Sequence, residues 1–288
     1  MSDIATYAAP RSLDEAVSLL RTGDVTILAG GTDLMPQSQS GKAVFKPTLM
    51  NIRRIAELSG ITESGGVVRI GALTTVTNLL DSTLIRERFN ALWQACDHFA
   101  SDQIRNAATI GGNICNASPA GDMLTPLLVL DARIVLAGKP NGSVARRTLP
   151  LAEFLVGPGR TACEPTELLE AVEIPTPSAG FFSAFFKFGT RPALDISVIS
   201  IGLGAIRDGR KLTRVRIGFG AVAPTAIRAL ATESTLEGRT LDAATIDSAV
   251  AAAVGETSPI SDVRASAWYR RELVGNMLRR MLNHAGNG

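Results

Sequence analysis

The chain has 288 residues, which is enough for about two domains of ordinary size. Lys and Arg number 29 and Asp and Glu 27, and this net charge of +2 argues against nucleic acid as the main partner, because phosphate binding needs a concentrated basic face. A hydrophobic content of 45% at so low a net charge excludes a disordered chain.

The cysteines limit the kinds of metal site that the chain can form, and the cysteines and apolar runs together indicate where in the cell it functions. Cys96, Cys115 and Cys163 cannot supply the four thiolates of an iron–sulfur cluster, and they are too scattered for a structural zinc site. An odd number of cysteines is typical of a reducing compartment. The N-terminal segment MSDIATYAAP lacks a signal-peptide pattern, and the longest apolar run, residues 196–206, is about half of a membrane span. We therefore expect a cytoplasmic protein without a membrane span.

In chain order, the first half alternates short helices and strands. Ser12 is placed to cap a helix over residues 13–21, with Glu15 completing a capping box. The pattern then predicts strands at 25–28 and 48–52, a hairpin turn at Gly65-Gly66, and helices at 74–80 and 85–99. Residues 124–130 are strongly apolar, and a strand is predicted at 133–137.

The second half contains a predicted domain boundary. A loop at 157–160 and a strand at 167–174 lead to Pro175 and Pro177, which favour a boundary at about residue 176. Beyond it, three strands are predicted at 181–189, 196–207 and 212–221, with Gly209 in the turn between the last two. Two helices follow, at 243–254 and 265–284.

The segment LAGGTDL, residues 28–34, follows the first predicted buried strand. A strand that ends in Gly-Gly can turn with positive φ and expose successive backbone N–H groups in a concave nest. Thr32 adds a hydroxyl donor. A diphosphate suits such a nest, although a tight turn after a strand would leave the same pattern.

The segment TIGGN, residues 109–113, is the second glycine motif. Thr109 and Asn113 place side-chain donors on either side of a Gly-Gly pair, and glycine allows a ligand to approach the backbone closely. Asp122 follows as an acceptor suited to ribose or ribityl hydroxyls, and a turn between a helix and a strand is the alternative for the motif. Together the two motifs predict a long dinucleotide held from two sides. No GxGxxG pattern supports a Rossmann site.

LAGGTDL and QIRNAATIGGNICNASPAGD together resemble the FAD-binding medium subunit of the xanthine dehydrogenase and molybdenum hydroxylase family, which includes carbon monoxide dehydrogenase. The resemblance covers essentially the whole chain, because KFGTRPALDISV, GFGAVAPTAIRA and ASAWYRRELVGNMLRRML resemble the C-terminal domain of that subunit. It implies an α+β fold: a two-lobed FAD-binding domain of the vanillyl-alcohol oxidase (PCMH) type at residues 1–176, with lobes of about 1–56 and 57–176. A small α+β domain with a three-stranded antiparallel sheet would follow at 177–288.

The resemblance also implies noncovalent FAD between the two lobes, with residues 28–34 around the diphosphate and Asp122 on ribityl or ribose hydroxyls. Lys187 would be a cation near the isoalloxazine ring, but FFSAFFKF is one residue longer than the family pattern, which leaves a solvated strand lysine as the alternative. We expect Cys115 to pack in the protein, and we predict no catalytic side chain and no metal ligand. The full set of predicted cofactor-binding residues is Leu28, Ala29, Gly30, Gly31, Thr32, Asp33, Leu34, Phe99, Ala100, Thr109, Gly111, Gly112, Asn113, Asp122, Leu169 and Lys187.

In this family a molybdenum centre hydroxylates an N-heterocycle or an aldehyde, and electrons pass through 2Fe–2S clusters to FAD and then to NAD+, oxygen or another acceptor. Because this chain lacks the thiols for those clusters, the resemblance implies an electron-transfer subunit. Its partners would be a small 2Fe–2S subunit and a large molybdopterin subunit, in a dimer of heterotrimers, that is, a heterohexamer. A free-standing flavin oxidase of the same fold and a non-enzymatic assembly subunit are the alternatives.

Overall fold

The computed structural model describes residues 4–191 and 194–287, so parts of the predicted MSDIATYAAP and RPALDISV segments lie outside the described residues. The first lobe is built on three short parallel strands: β1 (Thr6–Ala8), β2 (Val25–Leu28) and β3 (Thr48–Asn51), in the order β1-β3-β2. Helix α1 (Leu13–Leu20) connects β1 to β2, and α2 (Leu34–Gln39) begins just after β2. A single 3-10 turn at Ala56–Leu58 closes the lobe.

The start of α1 departs from the predicted capping box. Ser12 caps the helix as predicted, because its hydroxyl accepts a hydrogen bond from the Glu15 N–H at 3.2 Å. The Glu15 carboxylate, however, accepts from the N–H of Arg11 at 2.7 Å and not from that of Ser12. The Glu15 side chain therefore bonds the residue before the one that a capping box requires, so the predicted box is wrong, while the predicted helix is confirmed.

The second lobe is built on an antiparallel sheet. The five strands of this sheet are β4 (Ile61–Ser64), β5 (Val67–Gly71), β6 (Arg133–Gly138), β7 (Ala145–Pro150) and β10 (Leu168–Pro175). Between β7 and β10 in the chain, β8 (Leu155–Gly157) and β9 (Arg160–Thr161) form a separate two-stranded hairpin. The order in the five-stranded sheet is β4-β5-β10-β6-β7, so that β10 lies between two strands distant from it in sequence. The Gly65-Gly66 turn joins β4 to β5 as predicted.

The second lobe also contains seven short helices: α3 (Val76–Leu80), α4 (Thr83–Arg88), α5 (Asn90–Asp97), α6 (Asp102–Arg105), α7 (Ile110–Asn116), α8 (Leu124–Val129) and α9 (Leu151–Phe154). The prediction of one helix over 85–99 is wrong, because the chain breaks between α4 and α5 at Phe89, whose φ and ψ are −127° and 53°. Phe89 is fully buried in the core of this lobe, so the break lies where its ring packs against the tertiary core.

The C-terminal region forms a four-stranded antiparallel sheet backed by helices. The strands are β11 (Phe181–Phe188), β12 (Ile199–Asp208), β13 (Lys211–Gly220) and β14 (Ile227–Arg228), and the helices are α10 (Leu230–Leu236), α11 (Ala243–Gly255) and α12 (Ala267–Asn287). The three long strands match the predicted three-stranded sheet, and the two-residue β14 adds an edge that is too short to recognise in the sequence. The hairpin between β12 and β13 turns at Gly209, where φ is +56°.

Helix α8 packs directly on the C-terminal sheet. A Cβ added to Gly202 or to Gly218 would lie 3.1 Å from the Thr125 carbonyl oxygen, so these glycines let the helix approach the strands closely. The hydroxyls of Thr125 and Ser200 share a buried hydrogen bond of 2.9 Å across the same contact. The second lobe and the C-terminal sheet are therefore in close contact at α8.

The predicted boundaries at about residues 56 and 176 fall between the three sheets, and the division into domains stays a prediction. Within the described ranges, no helix combines the length and the apolar character needed to cross a bilayer.

Candidate functional site

A cleft of about 1200 Å³ runs between the first and second lobes. One wall is the loop that follows β2, and the facing wall is the start of α7. All the predicted cofactor-binding residues line this cleft except Leu28 and Lys187. Residues from three distant parts of the sequence are thus brought to one surface.

The loop from Gly30 to Leu34 presents its backbone to the cleft. Gly31 has φ of +75°, the left-handed conformation that glycine adopts without strain. Among the described residues, no protein acceptor takes the N–H groups of residues 30–34. Buried or half-buried N–H groups rarely lack an acceptor. A run of such groups beside a cleft is therefore the donor set that an anionic group needs.

The second motif differs from the predicted glycine loop, because TIGGN forms the first turn of α7. The N–H groups of Ile110, Gly111 and Gly112 would normally lack partners at a helix start. Here they donate to the Thr74 carbonyl at 3.0 Å, the Ala72 carbonyl at 2.9 Å and the Thr109 hydroxyl at 3.1 Å. The backbone of this motif is therefore already satisfied within the protein.

Side chains are the donors that the second motif offers. The Thr109 hydroxyl accepts from Gly112, and its proton has no acceptor among the described residues. The amide oxygen of Asn113 accepts from the Met123 N–H at 3.3 Å, while the structure gives its Nδ2 no acceptor within the described ranges. Both residues line the cleft, so one hydroxyl and one amide can donate to a ligand there.

The two motifs touch each other. A Cβ on Gly30 would lie 2.0 Å from the carbonyl oxygen of Ala107, just before Thr109, so the loop can lie there only because residue 30 is glycine. Farther along the cleft, the Gln37 amide of α2 donates to the side-chain oxygen of Asn116 in α7 at 3.0 Å. These contacts fix the distance between the two walls.

One edge of the cleft is formed by a strained turn at Phe99 and Ala100. Ala100 has φ of +39°, which costs a non-glycine residue about 1–2 kcal/mol. The Arg105 guanidinium holds the turn by donating to the Phe99 carbonyl at 2.7 Å and the Ala100 carbonyl at 3.2 Å. The arginine therefore maintains the conformation that places both residues on the cleft.

Leu169 reaches the cleft from β10, at a point where that strand is irregular. The register between β10 and β6 shifts between Leu169 and Ala171, which is a β-bulge at Glu170. The buried Glu170 carboxylate is held by Arg69 and Arg146, each at 2.6 Å. This ion cluster fixes the bulge beside Leu169.

Asp122 lines the cleft but is almost wholly enclosed by protein. Its carboxylate accepts from Lys187 Nζ at 2.6 Å and from the Ser197 hydroxyl at 2.8 Å. Burial raises the pKa of Asp122, and the neighbouring Lys187 charge and hydrogen bonds oppose that rise. Lys187 is itself only 7% exposed, so it is not a solvated strand lysine.

Several residues that line the cleft or support its wall were not singled out in the sequence. Gln37, Asn116 and Arg105 lie within or beside the two motifs, but their roles depend on partners that only the folded chain brings near. Ser197 lies 75 residues from Asp122 in the chain, and no local pattern links the two. The available sequence signal is the NICNAS stretch, which overlaps the end of TIGGN and adds the amide of Asn116 to that of Asn113.

Cys115 lies at the cleft surface, which corrects the expectation that it packs in the protein. Although the residue as a whole is exposed, desolvation raises the pKa of its thiol to about 12. A thiol with so high a pKa stays protonated at neutral pH and is a poor nucleophile.

The chemistry of the cleft fits a dinucleotide. A run of free backbone donors suits a diphosphate, the Thr109 and Asn113 side chains supply donors opposite, and the Asp122 carboxylate suits sugar hydroxyls. In the described part of the chain, no group of three or more His, Cys, Asp or Glu side chains could hold a metal ion.

Comparison with known proteins agrees with this chemistry. Residues 2–177 match the family model for the FAD binding domain in molybdopterin dehydrogenase, and residues 184–285 match the CO dehydrogenase flavoprotein C-terminal domain. The xanthine dehydrogenase FAD-binding subunit of Escherichia coli O157:H7 is 34% identical in an alignment of 288 positions, which covers 99% of this chain and 97% of that protein.

Carbon monoxide dehydrogenase of Hydrogenophaga pseudoflava is similar in both sequence and structure. Its medium chain is 34% identical over 281 residues, which are 97% of this chain and 96% of the medium chain. A structure of that enzyme lacking the Mo-pyranopterin moiety of its cofactor superposes with a TM-score of 0.93, over 99% of this chain and 98% of the matched one, at 34% identity. The chain therefore belongs to the family of FAD-binding subunits of molybdopterin dehydrogenases, and it is a flavoprotein subunit of an oxidoreductase.

Proposed function

We propose that this chain carries noncovalently bound FAD in the cleft between the two lobes and acts as the electron-transfer subunit of a molybdenum hydroxylase. The observation that carries the proposal is the run of unpartnered N–H groups at residues 30–34, which faces the Thr109 and Asn113 donors across the cleft. FAD, when bound, would accept electrons from 2Fe–2S clusters on a partner chain and pass them to NAD+ or another acceptor.

The residues of this chain bind and orient the cofactor. The amides of residues 30–34 hold the diphosphate from one side, and Thr109 and Asn113 hold it from the other. Asp122 accepts hydrogen bonds from ribityl or ribose hydroxyls, and Leu169, beside the bulge in β10, contacts the region of the ring. The raised pKa of the Cys115 thiol, which makes it a poor nucleophile, supports noncovalent attachment.

We further propose that the chain works with a small 2Fe–2S subunit and a large molybdopterin subunit, in a dimer of heterotrimers. The three cysteines of this chain are too few for a cluster with four thiolate ligands, and the named relatives are themselves subunits or medium chains. The substrate of the complex would be an N-heterocycle or an aldehyde, and the odd cysteine count favours the cytoplasm.

The test compares the chain alone with the complex that it forms in its native cell. The isolated chain should bind FAD, contain neither iron nor molybdenum, and leave the flavin absorbance unchanged when purines, other N-heterocycles, aldehydes or carbon monoxide are added. In the tagged and purified complex, one of these substrates should bleach the flavin band.

Two outcomes would favour other functions. Bleaching of the isolated chain by a substrate would favour a free-standing flavin oxidase. A chain that enters the complex but never binds FAD would be a non-enzymatic assembly subunit.

A further inference from the structure

Two side chains of the C-terminal region form hydrogen bonds with Asp122 at the cleft wall. Lys187 lies on β11, and its Nζ donates to Asp122 Oδ2 at 2.6 Å and to the His98 carbonyl at 3.3 Å. Ser197, just before β12, donates to Asp122 Oδ1 at 2.8 Å. Asp122 precedes α8 in the second lobe, so this cluster joins two parts of the molecule.

The cluster is arranged so that only Asp122 meets the cleft. Asp122 is among the lining residues of the cleft, whereas Lys187 and Ser197 are not. Lys187 instead lines a smaller neighbouring cavity of about 380 Å³, which shares Leu194 and Asp195 with the cleft. The side chain of Lys187 is 7% exposed and that of Asp122 is 11% exposed. An ionised carboxylate has about four acceptor positions, and the protein uses one on each oxygen. Asp122 can therefore accept further hydrogen bonds from a ligand while Lys187 and Ser197 hold it.

The charge of Lys187 helps to keep the buried Asp122 carboxyl group ionised. The titratable groups that face Asp122 are Lys187 and His98, and both favour its ionised form. Burial acts in the opposite direction and raises the pKa of Asp122. Without Lys187, burial would be opposed only by His98 and the Ser197 hydroxyl, so the carboxyl group would take up a proton at a higher pH.

We propose that Lys187 and Ser197 are positioning residues for FAD binding, which hold Asp122 as an oriented carboxylate at the cleft surface without contacting the cofactor themselves. The inference rests on the proposed FAD site and assigns to the C-terminal region a part in forming it. It differs from the expectation that Lys187 acts as a cation beside the flavin ring.

A double-mutant cycle separates the two roles of Lys187. FAD affinity is measured by flavin fluorescence between pH 6 and 9 for the full-length apoprotein and for the variants Lys187→Met, Asp122→Asn and Lys187→Met/Asp122→Asn. Lys187→Met should weaken FAD binding about tenfold or more at pH 7, with affinity recovering as the pH rises and Asp122 ionises. In the Asp122→Asn background, Lys187→Met should change affinity less than about threefold and leave no pH dependence.

Two controls test whether a general loss of charge or a folding defect explains the result. Lys139→Met removes another Lys–Asp ion pair, between Lys139 and Asp14 at 2.7 Å, and should leave FAD affinity unchanged. If Lys187→Met does not fold, Ser197→Ala and Ser197→Ala/Asp122→Asn form the same cycle, because Ser197 donates to the other carboxylate oxygen.

The results also separate this inference from the proposed function. Equal losses from Lys187→Met in the wild-type and Asp122→Asn backgrounds would show direct contact between Lys187 and the cofactor, and would overturn the inference. Unchanged affinity in Lys187→Met at every pH would overturn it as well. Absence of FAD binding by the wild-type chain would instead contradict the proposed function.

Discussion

The two Gly-Gly pairs of the cleft look alike in sequence and differ in structure. Gly30 and Gly31 lie in an open loop whose N–H groups have no acceptor in the described part of the chain. Gly111 and Gly112 begin a helix whose first N–H groups are all bonded to the protein. The loop can therefore bind through its backbone, and the helix start can bind only through its neighbouring side chains.

Within each pair, the two glycines have different tasks. Gly30 and Gly111 are needed for packing, because an added Cβ would lie 2.0 Å from the Ala107 carbonyl oxygen and 2.8 Å from the Ala72 Cβ respectively. All four glycines line the cleft, but an added Cβ on Gly31 or Gly112 would meet side chains only, 3.1 Å from Leu28 and 2.9 Å from the Thr109 hydroxyl respectively. Each pair thus combines one glycine packed against backbone with one packed against a side chain.

The largest effect is expected for Gly30→Ala. The new Cβ would collide with the backbone at Ala107, so the loop must move away from α7, with a loss of stability at or above the upper end of the ~1–3 kcal/mol typical of overpacking. We expect a lower Tm for the apoprotein and loss of FAD. Gly255→Ala is the matched control, because no atom lies within 4 Å of its added Cβ. It should leave FAD binding unchanged and should not lower Tm, since alanine is the better helix former at the end of α11. Retention of stoichiometric FAD by Gly30→Ala would show that the two walls need not be in contact.

Next comes the contrast between Gly112→Val and Gly111→Val. At Gly112 the nearest atom to an added Cβ is the Thr109 hydroxyl at 2.9 Å, so the valine must displace the side chain that caps α7 at the cleft wall. We expect this change to abolish FAD retention and to cost the apoprotein no more than the ~0.5–2 kcal/mol of that cap. At Gly111 the same change meets Ala72 and should lower apoprotein Tm, at a cost of about 1–3 kcal/mol. Thermal unfolding of both apoproteins and their flavin content check the pair. An equal loss of stability in both variants would contradict the division of tasks.

The difference between the two motifs shows which features of the site cannot be predicted from local sequence patterns. Local patterns predict the end of β2, the turns at Gly65-Gly66 and Gly209, and the two glycine motifs that line the cleft. Phe99, Ala100 and Leu169, which also line it, were expected only from the family resemblance. They do not show that TIGGN is helical, because its first N–H groups are satisfied by carbonyls of Ala72 and Thr74, far away in the chain. Phe89 breaks a helical pattern for a similar reason, since its ring is buried in the tertiary core.

A smaller effect is expected for Thr109→Ala. The change removes the side-chain cap of Gly112 in α7, which costs about 0.5–2 kcal/mol of apoprotein stability, and it also removes a donor from the cleft. FAD affinity should fall by about fivefold or more. Thr109→Ser keeps the hydroxyl and should restore both Tm and affinity. Failure of serine to restore affinity would mean that the hydroxyl does not contact the ligand.

The smallest effect is expected at the hydrogen bond between Gln37 and Asn116. Gln37→Ala removes a single partly buried bond of 3.0 Å, and should reduce stability by about 0.5–1.5 kcal/mol. Because the bond joins α2 to α7, the loss should be larger in the FAD-bound form than in the apoprotein. Thermal unfolding of both forms checks this, and an equal shift in both would show that the bond does not help to fix the cleft.

The most direct measurement for the account as a whole is a titration of the wild-type apoprotein with FAD. We predict saturation at one FAD per chain, and release of all the flavin into the supernatant when the protein is denatured with acid, because the raised pKa of the Cys115 thiol disfavours a covalent bond to the flavin. Gly112→Val should show no saturation in the same titration. Lack of binding by the wild-type chain, or flavin that remains attached to the denatured protein, would contradict the central claim that this cleft holds FAD noncovalently.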